Sequence, residues 1–564
     1  MSDSMTKPLD QTIGCDQKHR KKSWAFLAIA VASAFWLILR TGRKPSRLAY
    51  PCQQAALTNI QIAGLGILTS VPSLLKLRSS LIKMKPVLVL GIIIAGSACI
   101  TSSSVPYDVA YNLSSEDDYT RVPIVLEPDT AVAPESASNL FFIQNASGYE
   151  GNMDPAVTEL LQLMESEELY FYKTNDTPSG LIASDDVIIL KVNAQWAYRG
   201  GTNTDLVKSI INAIINHPDG FTGEIVAADN GQGLGNLNPF YGNAFDRNQA
   251  IQDVVDSFSA HDVSTFLWDD LRTSIVDDYD TGNMDDGYVR NNTWHSDTEI
   301  YTSYPKFRTE HGTYISFKNG VWDSETGFDS DRLKVINLPV LKSHFRYGLT
   351  GCVKNYMGVP NGRIVPDVDP GIPHEHFSIG LGGMATLMVE TRAPILNILD
   401  MIWVNPHPME SSTQRGPWSN YPDARFTDII GASQDPVGLD YWASKNVLCA
   451  TAEYLNYTVY SSLDPDYEPL SEQYYGTEPM DESFHNYLER TMNVLASMGF
   501  QVTMDDDEMN VYVTALTGHP LVSPTTTPTP TEPGDQSVLI LAVTIPLSAG
   551  VLIAVLSLLK RRNQ

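Results

Sequence analysis

Residues 187–229 read VIILKVNAQWAYRGGTNTDLVKSIINAIINHPDGFTGEIVAAD. The run 187–190 is apolar, β-branched and too short for a helix, so it reads as a buried strand. In 205–216, Leu206, Ile210, Ile211, Ile214 and Ile215 recur at helical spacing and share one face. A second short strand follows at 224–229. Strand, helix and strand in so short a stretch form a βα unit, which lays its two strands parallel in one sheet.

The same alternation extends outward. Residues 139–144 (NLFFIQ) read as a strand and 155–164 as a helix. Further strands are expected at 333–341, 394–399 and 427–432, the last followed by a helix around 437–447. The expected fold is therefore α/β, a largely parallel sheet flanked by helices. Residues 235–330 break the pattern: they are rich in Asp, Asn, Tyr and Gly and poorly periodic, and read as a long irregular insertion with some helix.

Charge divides the chain. Residues 1–100 hold 13 Lys/Arg against 3 Asp/Glu, whereas 101–559 hold 22 against 63, a balance near −41. A field of that sign repels phosphate backbones, which argues against a nucleic-acid partner. Apolar runs at 24–39 and 86–100, with 55–75 as a weaker third, follow the basic residues 18–22. The run 537–559 precedes Lys560, Arg561 and Arg562. Its 23 residues are enough to cross a hydrocarbon core of about 30 Å.

The basic flanks place both termini on the cytoplasmic side of a cell membrane. The expected organisation is a membrane region at 1–104, an extracytoplasmic domain at 105–520 with its core at about 180–450, a Thr/Pro-rich stalk at 521–536, a transmembrane helix at 537–559 and a cytoplasmic tail at 560–564. Sequons at Asn112, Asn145, Asn175, Asn291 and Asn456 accord with an exterior domain. The five cysteines include no C-x-x-C pair, so neither an iron–sulfur cluster nor a zinc ribbon is expected.

Candidate chemistry follows the apolar strands. Lys191 and Asn193 follow the first, Asp229 and Asn230 the second, Lys342 and His344 the third; Asp400 and Asp435 end the last two. Parallel strands gather their C-terminal ends at one edge, where α/β proteins bind ligands. The plainer alternative is that these Asp and Asn residues cap the following helices.

Residues 341–358 (LKSHFRYGLTGCVKNYMG) place Lys342, His344 and Lys354 among glycines, with Thr350, Gly351 and Asn355 beside them. Such a stretch suits a small anionic ligand, a phosphate or a carboxylate. In the catalytic reading His344, Lys342 and Asp400 handle protons, while Lys191, Asn193, Asp229, Asn230, Thr350, Gly351, Lys354, Asn355 and Asp435 hold the ligand. His374 and His376 at i and i+2 leave a divalent metal open as a cofactor. A non-catalytic surface protein that binds a partner protein or glycan, and a metal-dependent hydrolase or redox protein, are the other readings.

These segments resemble the domain-of-unknown-function family 362. The matching residues are Lys191-Val-Asn193, Lys342-Ser-His344, Thr350-Gly351-Cys-Val-Lys354-Asn355, Asp400, Gly416-Pro417 and Asp435-Pro436-Val437-Gly-Leu-Asp440. Residues 43–53 (RKPSRLAYPCQ) also resemble a juxtamembrane motif of its membrane-bound members. The resemblance implies the fold and the place of the site, and it implies no reaction. Some relatives carry iron–sulfur cysteines; this sequence lacks them.

Overall fold

The computed structural model describes residues 121–129, 138–146, 153–239, 242–344, 348–361, 375–407, 421–457, 462–467 and 483–517. The expected membrane segments and the stalk lie outside the described residues, and among those described no helix is long and apolar enough to cross a membrane.

In chain order the elements begin with β1 (Ser138–Gln144), α1 (Asp154–Ser166), β2 (Val187–Val192), α2 (Thr204–Ile215), β3 (Glu224–Asp229), α3 (Ile251–Asp256) and β4 (Val263–Leu267). Five strands follow: β5 (Gly287–His295), β6 (Ile300–Arg308), β7 (Tyr314–Ser316), β8 (Gly320–Asp323) and β9 (Gly327–Asp329). Next come β10 (Leu333–Leu338), β11 (Val340–Ser343), β12 (Leu349–Thr350), α4 (Cys352–Asn355), α5 (Glu375–Gly380) and α6 (Gly383–Glu390). The last are β13 (Leu396–Asn405), β14 (Arg425–Ser433), α7 (Pro436–Ala443), α8 (Cys449–Tyr454), α9 (Phe484–Ser497) and β15 (Met509–Ala515).

The main sheet runs β15-β1-β14-β13-β10-β2-β3-β4, with the β11–β12 hairpin added beside β13. β2, β3, β4, β10 and β13 are parallel; β14 alone reverses within that order, antiparallel to both β13 and β1. The expected strand at 333–341 is two strands, because Pro339 has no N–H to give the ladder and its carbonyl instead accepts from Asp400 N–H.

Strands buried on both faces explain the apolar runs. One face packs on α1, α2 and α3 through residues such as Leu160, Ile210, Ile214 and Val254. The opposite face packs on α4, α6, α7, α9 and the second sheet through Tyr356, Met388, Val437, Leu488 and Phe307.

The expectation of an irregular insertion at 235–330 is corrected. That stretch supplies α3, β4 and a five-stranded antiparallel sheet in the order β5-β6-β7-β8-β9. β6 (IYTSYPKFR) is buried at Ile300 and again without a break from Thr302 to Phe307, so no polar–apolar alternation marks it in sequence.

Candidate functional site

The C-terminal edge of the parallel strands carries two polar clusters, one on each face. The first is organised by the start of α2. Asn203 caps that helix, its Oδ1 accepting from Asp205 N–H at 2.9 Å and Leu206 N–H at 3.1 Å. Its own N–H donates to Asp400 Oδ2 at 2.8 Å. A bulge in β13 after Met401 turns Ile402 N–H onto Asp400 Oδ1 at 3.0 Å, and Asn243 Nδ2 reaches Oδ2 at 3.4 Å.

Two cations stand over this carboxyl. Arg199 lies 3.6 Å above the Trp403 ring and donates to Asn243 Oδ1 at 3.0 Å and Ala244 O at 3.1 Å. The Lys342 ammonium donates to the Gly200 carbonyl and sits 5.2 Å from the Tyr421 ring centre. Gly200 has to be glycine, because a Cβ there would lie 2.1 Å from Tyr421 Cε2. Burial lifts the Asp400 carboxyl to about 7, against the opposing pull of its backbone donors, Arg199 and Lys342. The group therefore exchanges its proton near neutrality.

The second cluster lies on the opposite face. Leu190 and Val192 pack toward α2, so Lys191 between them points the other way. Its ammonium, fully buried, is 2.8 Å from Asp229 Oδ1 and donates to Val192 O at 2.8 Å. Asp229 Oδ2 accepts from Ala194 N–H at 2.8 Å. Gly358 closes over the pair, and Asn230 ties the closing strand down by donating to Pro360 O at 2.5 Å and Gly358 O at 3.1 Å.

From Lys191 a line of amides crosses the sheet. Asn355 donates to Lys191 O and to Asn337 Oδ1, Asn337 to Cys352 O and Asn397 Oδ1, and Asn397 to Ser433 O. Beneath Gly351, the Asp440 carboxyl accepts from Cys352 N–H at 2.6 Å and Val353 N–H at 3.0 Å; burial raises it to about 7.

The expected site residues thus divide. Lys342 and Asp400 meet on the α2 face; Lys191, Asp229, Asn230 and Asn355 meet on the other. Asn193 is buried between them near the edge, its N–H donating to Thr202 Oγ1 at 2.8 Å. Thr350 pairs with Lys342 across the β11–β12 hairpin, and Lys354 is buried on α4. His344 closes that hairpin, its N–H donating to Gly348 O at 2.8 Å.

Asp435 is brought to neither cluster. Because β14 runs antiparallel, its end lies at the opposite edge, where Asp435 caps α7 through Val437 and Gly438 N–H and accepts from Ser138 Oγ and Thr503 N–H. His374 and the side chain of His376 lie outside the described residues. No group of three metal-capable side chains occurs among those described.

Arg199, Asn203, Asn243, Asn337 and Asn397 join the clusters without being among the expected residues. For Asn337 and Asn397 a signal exists: each is an amide inside an otherwise apolar strand. The three loop residues carry no such mark.

Residues 328–445 match the family model described as Domain of unknown function (DUF362). Over these residues the chain is similar to the DUF362 family, as the resemblance of its motifs implies. No curated protein matches the chain, and no solved structure does. The DUF362 segment contains β10 to β14 and α7, hence Lys342, Asp400, Asn337, Asn397 and Asp440, whereas Lys191, Asp229 and Arg199 reach both clusters from outside it.

Proposed function

We propose that this protein binds a small anionic ligand, a carboxylate or phosphate, at the C-terminal edge of its sheet. Arg199 and Lys342 would neutralise the anion, and Asp400 would hold or give a proton. One observation carries the reading: three chain segments distant in sequence bring two cations and a carboxyl with a pKa of about 7 to the edge where parallel sheets bind ligands. Proton transfer needs a group poised near the working pH, and Asp400 meets that condition. The Tyr421 ring covers Lys342, and Tyr421 holds a left-handed φ of 53°, so entry of the anion requires this residue to swing aside.

The protein would work as a membrane-anchored, extracytoplasmic domain. The apolar runs 24–39, 86–100 and 537–559 with their basic flanks support that part of the proposal.

Thermal-shift measurements with a panel of phosphorylated and carboxylated metabolites test the ligand. A compound that stabilises the wild type and fails to stabilise Lys342→Met is the expected result. A panel that shifts both proteins equally would refute the site.

A further inference from the structure

We infer that the ligand of the candidate site carries a hydroxyl beside its anionic group, and that Asn405 receives this hydroxyl. The contact presupposes the anion on Arg199 and Lys342 proposed above, and adds the neutral half of the ligand to it.

Asn405 ends β13 and is the register partner of Lys342 in β11. Parallel partners in register share one face of the sheet. Alternation along β13 gives the same side: Trp403 packs on the α2 face, Val404 on the opposite one, and Asn405 comes next. Asn405 therefore stands on the face of Lys342 and Asp400, two residues beyond Trp403, whose ring holds Arg199.

The side chain is fully buried, yet only half of its amide is satisfied. Nδ2 donates to Ser343 Oγ at 3.3 Å, while Oδ1 has no hydrogen-bond partner among the described residues. Turning the amide over does not cure this. Ser343 gives its one hydroxyl proton to His407 O at 2.6 Å, so a reversed amide would set Oδ1 against an oxygen with no hydrogen left to offer. Ser343 thus fixes the amide with its acceptor open. Buried acceptors are nearly always paired, and one held open beside a binding edge marks where a donor arrives with the ligand.

The charges nearby restrict that donor. Lys342 and Arg199 stand on the same face, so an ammonium arriving there would meet two cations, whereas a hydroxyl escapes that repulsion. A carboxylate or phosphate on the two cations, with a hydroxyl reaching Asn405, satisfies both halves of the site. The matched compound without the hydroxyl would fill the anion position and leave Oδ1 unpaired. Sites that leave a buried polar group unpaired in this way reject the analogue strongly.

Calorimetric titration of the full chain in detergent tests this with matched pairs: glycolate against acetate, malate against succinate, and glycerol 3-phosphate against propyl phosphate. In a pair whose binding requires Lys342, the hydroxylated member should bind the wild type at least about tenfold more tightly. Glycine should bind more weakly than glycolate. Asn405→Leu should bring the ratio close to one by weakening the hydroxylated member alone. Ser343→Ala keeps Asn405 but frees its amide to turn, and should also lower the ratio, which leaves a readout if Asn405→Leu does not fold. Equal affinity within every pair that needs Lys342 would show that Oδ1 holds only a water, and would overturn the hydroxyl contact with the anion site intact. A wild-type ratio that persists in the variants overturns it as well. If no pair binds through Lys342, the anion site itself is refuted and the hydroxyl contact falls with it.

Discussion

The Lys191 ammonium lies 2.8 Å from the Asp229 carboxylate in a position from which both are shut off from water. The pair joins the ends of β2 and β3, and a third strand of backbone passes over it at Gly358. A buried pair of this kind contributes little net stability, yet leaving one member alone is costly.

Lys191→Met is therefore expected to cost about 3–5 kcal/mol, since Asp229 would remain buried without its cation. Adding Asp229→Asn should restore much of that loss, because the second change removes the stranded charge. Urea unfolding of the two variants against wild type measures the difference. A double variant as unstable as the sum of the single ones would argue against direct coupling.

Gly358→Ala tests the lid over the pair. A Cβ at that position would lie 1.9 Å from Asp229 Oδ1 and 2.7 Å from Lys191 Nζ, so making room for it means displacing a buried ion pair. The expected penalty is about 3 kcal/mol, at the upper end of what overpacking usually costs. The same unfolding measurement reads it.

What the sequence discloses follows from how strands are buried. The runs 187–190 and 224–229 are legible because a parallel strand covered on both faces must be apolar throughout. That same uniformity hides direction: nothing in residues 427–432 distinguishes an antiparallel β14 from a parallel one, so the sequence pattern puts Asp435 at the wrong edge. It also hides which face a terminal side chain takes, and the one expected cleft is two clusters because Lys191 and Lys342 point oppositely. Arg199 and Asn243 are invisible for another reason. Their roles arise from loop packing onto Trp403 and Asp400, which no local spacing records.

Asp440→Ala should loosen the segment that carries the amide line. Its carboxyl holds the first two N–H groups of α4, a helix of four residues whose N-cap, Gly351, has no side chain to offer. Cys352 is fully buried and free of any disulfide, so in the wild type its thiol should resist a maleimide until the protein unfolds. In Asp440→Ala labelling of Cys352 under native conditions should become measurable. Unchanged protection would show that the helix is held by its packing alone.

Stability should fall as pH rises toward neutrality, and Asp400 should account for part of the slope. Its folded pKa of about 7 lies above the ordinary 3.8, so the folded state holds the proton more tightly than the unfolded chain does. That contribution is complete below about pH 3.8, declines above it and is gone once the pH passes 7. Asp428 and Asp440, also raised to about 7 by burial, act in the same direction. The wild type should therefore melt at a higher temperature at pH 5 than at pH 8. Asp400→Asn cannot ionise, so its melting temperature should vary less across that interval, and the missing part should be on the order of a few kcal/mol. If the variant keeps the full wild-type slope, Asp400 is already ionised at pH 5. The proton proposed for the site would then have to come from another group.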